Sequence, residues 1–259
     1  GEEILGGSSS WLKVTGCTKA GVLAASVRSA PCHLGVLEIG AYCGYSAVQM
    51  AMAVPGIRIV SLEYDPMHVI VARNVLVFAQ KACNVEVCTG HSRDLIPRLA
   101  VHRLHEAPLF SAVFMDQRGS RYSDDLEALM QHRLLQHGAV IVADNVLKPG
   151  APIFLWHARS SRFMESQIVS LPEFGMPSDD WMSAGVCCDK GASTPPEEAL
   201  EPPEEVLQMN RDADRMREEA VRPGSVSFGE WAAFASRMKQ RFAELGISES
   251  AGVGSQSVS

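Results

Sequence analysis

The sequence lacks the features that mark membrane-spanning, secreted and nucleic-acid-binding proteins. It has no run of the roughly 18 apolar residues that a transmembrane helix needs. Residues 1–7 show neither the basic start nor the apolar stretch of a signal peptide. The formal net charge of -7 argues against nucleic acid as a ligand, because a phosphate backbone binds basic surfaces. We therefore expect a soluble, cytoplasmic protein without a membrane span, and the absence of an initial methionine leaves open whether a segment precedes residue 1.

Patterns of structural cysteines are absent as well. The 7 cysteines are odd in number and do not have the spacing of a zinc site. Cys187 and Cys188 are neighbours, which makes a bridge between them unfavourable. Free thiols in a reducing compartment are therefore expected. The 259 residues, 46% of them hydrophobic and 20% charged, suffice for one α/β domain with a full core and an appendage.

Seven short apolar runs predict strands. The first five are apolar on both faces and alternate with stretches of helical periodicity, which is the pattern of a parallel sheet covered by helices on both sides. The last two follow each other without a long helix between them, which predicts an antiparallel pair at one edge. The predicted strands are 35–40, 57–63, 85–89, 111–116, 139–144, 166–171 and 182–187, and the predicted helices among them are 46–54, 66–82 and 124–136. The sequence therefore predicts an α/β fold with a doubly wound, mostly parallel sheet.

The composition changes after the last predicted strand. We expect five segments, which are a flexible N-terminal stretch (1–10), a main domain (11–190), an acidic proline-rich linker (191–205), a helical extension (206–247) and a disordered tail (248–259). Within the extension, helices are predicted over 206–221 and 227–245. The second helix has one apolar face, formed by Trp231, Phe234, Met238, Phe242 and Leu245. This face is expected to pack on the chain's own domain, and docking to a protein partner is the alternative.

Residues that can bind a ligand follow the predicted strands. In an open α/β sheet, ligands bind beyond the carboxyl ends of the strands. Gly40 and Gly44, in the first turn, allow a ligand to approach the backbone closely. Glu63 ends the next strand, where a carboxylate can accept both ribose hydroxyls of a nucleoside. The dinucleotide motif Gly-x-Gly-x-x-Gly is absent, so a nucleoside without a pyrophosphate fits better, although such glycines can also serve packing alone.

A second group of polar residues ends the fourth and fifth predicted strands. It consists of Asp116, Asp144 and Asn145. Carboxylate and amide oxygens are ligands that Mg²⁺ accepts, and water or substrate oxygens would complete its coordination. Each residue alone could instead cap a helix or face solvent. Their occurrence at neighbouring strand ends favours a metal site.

Four motifs resemble those of the catechol O-methyltransferases, which are class I S-adenosylmethionine-dependent and Mg²⁺-dependent enzymes. In chain order they are VLEIGAYCGYSAV (36–48), FMD (114–116), VADNV (142–146) and PGAP (149–152). The resemblance runs from about Trp11 to Cys188 and does not include the C-terminal region. It implies a Rossmann-like methyltransferase fold with seven strands, S-adenosylmethionine and Mg²⁺ as cofactors, and a catechol or related small phenol as methyl acceptor.

The resemblance also implies a role for individual residues. Around the methionine part of the cofactor would lie Glu38, Gly40, Tyr42 and Ser46, and Asp116 would also lie at the cofactor. Glu63 would bind the ribose, and Tyr64 would lie against the adenine. Along the adenine edge would lie Ser92 and Gln117, with Arg93 nearby. The Mg²⁺ ligands would be Asp116, Asp144 and Asn145. The acceptor site would have apolar walls at Trp11 and Pro149, and Glu173 would hydrogen-bond the second catechol hydroxyl.

The chain departs from the family pattern at the position of the general base. The family has an aromatic residue and then a lysine base there, whereas this chain has Arg118 and Gly119. Glycine cannot take a proton, and arginine stays protonated. Lys148 and Lys13 are candidate replacement bases, and Lys13 also replaces an apolar wall near Trp11. The transmembrane O-methyltransferases, which are relatives in this family, lack the lysine too.

Three hypotheses follow from these residues. The first is a Mg²⁺-dependent O-methyltransferase acting on a catechol or a related small phenol. The second is a catalytically impaired module that binds S-adenosylmethionine and acts through protein partners, as Gly119 and the amphipathic 227–245 helix would allow. The third is methyl transfer to an acidic phenol, because Arg118 and Lys148 would make the pocket entrance cationic.

Overall fold

A computed structural model describes residues 15–31, 34–102, 108–160, 164–173, 176, 178–188, 201–221 and 225–250. Trp11, Lys13, the predicted N-terminal stretch and most of the predicted linker and tail lie outside these residues. The strands are β1 (Val36–Ile39), β2 (Ile59–Glu63), β3 (Val85–Thr89), β4 (Phe110–Met115), β5 (Leu135–Ala143), β6 (Met164–Leu171) and β7 (Asp180–Cys187). The helices are α1 (Cys17–Arg28), α2 (Tyr45–Ala53), α3 (Pro66–Phe78), α4 (Ser92–His102), α5 (Tyr122–Gln131), α6 (Pro152–Ser160), α7 (Glu204–Glu219) and α8 (Phe228–Glu244).

The seven strands form one sheet in the order β3-β2-β1-β4-β5-β7-β6. Strands β1 to β5 are parallel, and β7 pairs antiparallel with both β5 and β6. The order reverses at β1, which has β2 on one side and β4 on the other, so the carboxyl ends of β1 and β4 flank the crevice in which α/β proteins bind ligands. The predicted fold class, including the antiparallel edge pair, is confirmed.

Alternate residues of the buried strands face two separate cores. On β1, Val36 packs with α1, α2 and α3, whereas Leu37 packs with α4 to α8 on the other face of the sheet. Both faces are therefore covered by helices, which explains why β1, β2 and β4 are buried along their whole length.

Two predicted helix ends are wrong. The helix predicted over 66–82 ends at Phe78, and the helix predicted over 124–136 ends at Gln131, because Leu135 already begins β5. The first helix ends early because Gln80 adopts a positive φ of 57°, which stops a helix. In the second, Leu134 and Leu135 continue the apolar pattern of the helix into β5. Helices α1, α4 and α6 were not predicted. Pro97 inside α4 argues against a helix there, whereas the amphipathic pattern of α6 was available in the sequence.

Helices α7 and α8 pack on the main sheet rather than standing apart from it. Trp231, Phe234, Met238 and Phe242 of α8 are buried in the same core as the strand residue Trp181. The apolar face of the predicted 227–245 helix is therefore covered by the chain itself. A capping box formed by Ser227 and Glu230 begins α8. Within the described residues, no helix is both long enough and apolar enough to cross a membrane.

Candidate functional site

The turn after β1 brings the backbone close to the end of β4. Gly40 has a φ of +102°, and a Cβ atom built there would lie 2.5 Å from the carbonyl oxygen of Asp116. Only glycine fits this close approach between strands. Tyr42 also adopts a positive φ, of 44°, and its backbone N–H donates to Glu63 Oε2 at 2.8 Å. This hydrogen bond joins the turn after β1 to the end of β2 at one edge of the sheet.

Glu38 is a fully buried carboxylate beneath this turn. It accepts a hydrogen bond from Ser46 Oγ at 2.5 Å and another from Ser61 Oγ. Burial raises its pKa from 4.5 to about 7, the hydroxyls of Ser46 and Ser61 lower it, and the nearby Glu63 raises it. An ammonium group placed beside Glu38 would favour the ionised carboxylate.

Glu63 is held at the carboxyl end of β2. Its Oε1 accepts the backbone N–H of Asp65 at 2.9 Å, and its Oε2 accepts that of Tyr42. These two bonds fix the carboxylate, and the remaining lone pairs can accept further donors such as ribose hydroxyls.

Ser92 and Gln117 are held together by a residue that the sequence did not single out. Asp125, on α5, is buried and accepts Ser92 Oγ at 2.8 and 2.7 Å and Gln117 Nε2 at 2.7 Å. The Gln117 carbonyl oxygen is left buried with no hydrogen-bond partner among the described residues. An unpaired buried oxygen is costly, and this atom is free to accept a hydrogen bond from an N–H group.

Two aromatic rings stand at the same edge. Tyr64 follows β2 and is 64% exposed, and its ring stacks on His91 with centroids 5.4 Å apart and an interplanar angle of 9°. Such parallel faces can bind a flat heterocycle. Arg93, expected nearby, is exposed and contacts Asp94 at 3.6 Å.

The predicted metal ligands meet where β4 and β5 end. The hydroxyl of Thr15 lies 3.1 Å from Asp116 Oδ2 and 3.2 Å from Asp144 Oδ2. Asn145 follows in the left-handed region, with a φ of 53°. Parallel pairing of β4 with β5 puts the two aspartates side by side, since the backbone N–H of Asp144 bonds to the carbonyl oxygen of Met115.

Lys19 and Asp180 join this group from α1 and β7. Lys19 Nζ donates to Asp144 Oδ1 at 2.6 Å and to Asp180 Oδ2 at 3.1 Å. Asn145 Nδ2 donates to the same Asp180 oxygen at 2.7 Å. Asp180 Oδ1 in turn accepts the backbone N–H groups of Lys148 and Trp181. These bonds fix the side chains of Asp144 and Asn145.

The pKa values of the group reflect its buried charge. Burial and the neighbouring Asp144 raise the pKa of Asp116 well above its ordinary value. Burial also raises the pKa of Asp144, against the lowering effect of Lys19. Burial lowers the pKa of Lys19, but Asp180 and Asp144 raise it by more, so the ammonium is charged.

The donor set fits a divalent cation. The single Thr15 proton serves only one of the two carboxylates that it contacts, and the Asn145 amide nitrogen faces Asp180, which leaves the amide oxygen as a donor atom. In the described part of the chain, no group of three His, Cys, Asp or Glu side chains could hold a metal. A metal would therefore need the Asn145 amide and oxygens from water or an acceptor.

Glu173 and Lys148 form a buried ion pair beside this group. Their charged atoms are 2.9 Å apart, and Lys148 Nζ also donates to the hydroxyl and carbonyl oxygens of Ser178, at 2.8 and 2.5 Å. The three protons of the ammonium are thus matched by three acceptors. Burial and Asp180 raise the pKa of Glu173, whereas Lys19 and Lys148 lower it.

The position of the family lysine is enclosed. Gly119 is buried, and a Cβ atom there would lie 2.6 Å from both Arg217 Nη2 and the carbonyl oxygen of Gly150. Arg217, on α7, donates to that carbonyl. Arg118 is exposed and pairs with Asp214 of α7 at 2.9 Å. Both cations from which a cationic pocket entrance was expected are paired, Arg118 with Asp214 and Lys148 with Glu173.

Most of the residues that form this site lie within a stretch of sequence that matches a protein-family model. A sequence model described as O-methyltransferase matches residues 30–166, which is more than half of the 259 residues. The chain belongs to the O-methyltransferase family. The resemblance found in the four motifs is therefore confirmed.

Relatives with similar sequences agree with this assignment. Catechol O-methyltransferase of Bos taurus is 40% identical over 141 residues, which cover 54% of this chain and 51% of that protein. The transmembrane O-methyltransferase homolog of Mus musculus is 42% identical over 144 residues, covering 54% of this chain and 55% of that protein. The chain thus spans about half the length of these relatives.

The fold is shared with more distant family structures. The O-methyltransferase of Bacillus cereus in complex with SAH has a TM-score of 0.60 and 21% identity, covering 68% of this chain and 84% of that chain. An O-methyltransferase from Streptomyces achromogenes in complex with SAM has a TM-score of 0.59 and 22% identity, covering 68% of this chain and 82% of that chain.

Seven residues of the site were not found by sequence reasoning, namely Thr15, Lys19, Ser61, His91, Asp125, Ser178 and Asp180. Asp180 lies two residues before the predicted strand 182–187, which is a weak signal. The others lie on elements or loops different from those of the side chains that they contact, so no local spacing relates them to their partners.

Proposed function

We propose that this chain is an S-adenosylmethionine-dependent and Mg²⁺-dependent O-methyltransferase that acts on a hydroxyl of a catechol or related small phenol. The observation that carries the proposal is the contact between Gly40 and Asp116. Through it, the turn expected to hold the methionine part adjoins the oxygen donors expected to hold the metal and the acceptor. Methyl transfer needs these two ligands in contact, because the acceptor oxygen must be aligned with the methyl group.

The proposed cofactor site uses residues from four strand ends. Glu38 would face the ammonium of the cofactor, and Glu63 would accept the ribose hydroxyls. The unpaired Gln117 oxygen suits the exocyclic amine of adenine, and the Tyr64 and His91 rings suit its faces. Ser46 contributes by holding Glu38, and Ser92 by holding Asp125.

The proposed metal ligands are Asp116, Asp144 and Asn145. When bound, Mg²⁺ would lower the pKa of the acceptor hydroxyl. The chain's own residues would then align the acceptor and receive its proton. Lys148 is a poor base, since its ammonium is matched by three acceptors, whereas Glu173 is a carboxylate whose raised pKa makes it the better proton acceptor.

The test is methyl transfer by the full chain from labelled S-adenosylmethionine to a panel of catechols and acidic phenols. We expect transfer that requires Mg²⁺ and is lost in Asp144→Ala. Transfer no higher than that of Asp144→Ala would contradict the proposal.

A second candidate is a cofactor-binding module with impaired catalysis. The enclosed glycine at position 119 favours it, because glycine has no side chain that could accept a proton and there is no space for one. The covered apolar face of α8 argues against docking of a partner through that helix. Calorimetry separates the candidates, since the module would bind S-adenosylmethionine without metal-assisted binding of a catechol.

A cytoplasmic location remains part of the proposal. Among the described residues, Cys43, Cys83, Cys88 and Cys188 are free thiols, which a reducing compartment maintains. The acceptor is proposed to be a small molecule rather than a nucleic acid.

A further inference from the structure

A lysine from α1 lies inside the proposed metal site. Lys19 is only 5% exposed although lysine is rarely buried, and its ammonium contacts Asp144 at 2.6 Å and Asp180 at 3.1 Å. Thr15 lies just before the same helix, and its hydroxyl contacts both Asp116 and Asp144. The start of this helix therefore supplies both a proton donor and a positive charge to the oxygen-donor set.

The net charge of the oxygen-donor set depends on Lys19. Asp116, Asp144 and Asp180 are three carboxylates against one ammonium, while Glu173 is already paired with Lys148. With all groups ionised, three negative charges and one positive charge leave a formal charge of -2. One divalent cation would neutralise this group. Without Lys19, the same cation would leave an uncompensated negative charge.

Lys19 also occupies a donor atom. Asp144 Oδ1 accepts both the ammonium and the backbone N–H of Asn145, at 2.6 and 2.7 Å. A metal that used this oxygen would have to displace the lysine. A metal that used Oδ2 would lie beside a fixed positive charge, and two cations at such range repel strongly in a buried site.

We propose that Lys19 is a built-in counter-ion of the oxygen-donor set, which lowers the affinity of the site for divalent cations and keeps its buried carboxylates compensated when no metal is bound. The inference rests on the divalent-cation binding in the proposed function. Lys19 is a positioning residue in this account, because it acts through Asp144 and does not touch the reacting atoms.

Binding of Mn²⁺ to the full, chelator-treated chain tests this proposal without measuring methyl transfer. Titration calorimetry or electron paramagnetic resonance would compare the wild type with Lys19→Met and Lys19→Arg. We expect Lys19→Met to bind Mn²⁺ at least about tenfold more tightly, because repulsion is removed, and Lys19→Arg to bind like the wild type. Arg215→Gln, which removes one exposed positive charge on α7, is the control and should leave the affinity unchanged.

Thermal unfolding gives an independent readout. In the presence of chelator, Lys19→Met should unfold at a lower temperature than the wild type, because Asp144 and Asp180 lose their cation. Mn²⁺ should raise its unfolding temperature by more than it raises that of the wild type. If the variant is unfolded in chelator, its refolding on addition of Mn²⁺ supports the proposal, and failure to refold contradicts it.

The outcomes separate this inference from the proposed function. Equal or weaker Mn²⁺ binding by folded Lys19→Met, or no binding by any variant, overturns the role of Lys19. Tighter binding by Lys19→Met together with metal-independent methyl transfer by the wild type supports the role of Lys19 and contradicts only the Mg²⁺ requirement.

Discussion

Arg217 occupies the space into which a side chain at Gly119 would project. A Cβ atom at position 119 would lie 2.6 Å from the guanidinium and equally close to the carbonyl oxygen of Gly150. The missing lysine is therefore more than a single substitution, because α7 has closed the position that the lysine would need.

Restoring the lysine should consequently fail. We expect Gly119→Lys to gain no methyl-transfer activity, and Gly119→Ala to lower the free energy of unfolding by about 1–3 kcal/mol through overpacking. Denaturant unfolding and the transfer assay measure the two effects. Gly21→Ala is the control: a Cβ there meets nothing within 4 Å, so the change should be neutral or stabilising. A stable, more active Gly119→Lys would refute this account.

Stability of the metal-free chain should depend on pH through Glu38. Its pKa is about 7 when folded and 4.5 in its ordinary state, so the folded chain binds more protons between these values. The contribution of Glu38 is fully present below pH 4.5 and is lost as pH rises through 7, a change of about 3 kcal/mol. Asp116, Asp125 and Asp144, whose pKa values are also raised by burial, add slopes of the same sign.

Glu38→Gln should reduce the slope of the free energy of unfolding against pH by the amount that corresponds to about one bound proton. Urea unfolding between pH 4 and 8, which spans the window from 4.5 to 7 set by the two pKa values, measures it in the presence of chelator. Glu86→Gln, an exposed carboxylate on β3, provides the control. An unchanged slope in Glu38→Gln would show that another group carries the proton.

Asp125 should control cofactor affinity although it is not expected to touch the cofactor. It fixes Ser92 and Gln117, and without it the unpaired Gln117 oxygen is no longer oriented. We expect Asp125→Ala to weaken binding of S-adenosylhomocysteine about tenfold, in line with the loss of a charged hydrogen bond. Asp124→Ala changes the exposed neighbour on the same helix and should have little effect. Equal affinities of the two variants in calorimetry would contradict the prediction.

The C-terminal helices should be required for stability. Phe242 of α8 is fully buried in the core shared with Trp181, and Phe242→Ala should cost about 3–5 kcal/mol. Phe228→Ala, at a 55% exposed position of the same helix, should change stability by less than about 0.5 kcal/mol. If α8 were a separate docking module, the two variants would show the same free energy of unfolding for the main domain.

Glu173 should account for the acidic side of the pH–rate profile, provided that methyl transfer is detected. Its pKa is raised by burial and Asp180 and lowered by Lys148, so Lys148→Met should move the acidic limb to higher pH. Glu173→Gln should lower kcat by roughly 10²–10³-fold, within the usual contribution of a general base, and remove the limb. An unaltered profile in both variants would exclude Glu173 as the base.

The sequence alone determined the sheet and the edge at which ligands bind. Buried strands are apolar on both faces, and a glycine turn after β1 with carboxylates after β2, β4 and β5 is a local pattern that can be read residue by residue. Glu38, Glu63, Asp116 and Asp144 were found in this way.

Only the tertiary structure decided which groups these residues meet. Lys19, Asp125 and Asp180 reach the site from α1, α5 and β7, so their distances to it are set by packing rather than by spacing along the chain. Arg217 closes the Gly119 position for the same reason. Hydrogen bonds and charges act over a few ångströms in space, and residues far apart in sequence become neighbours only when both cores have formed.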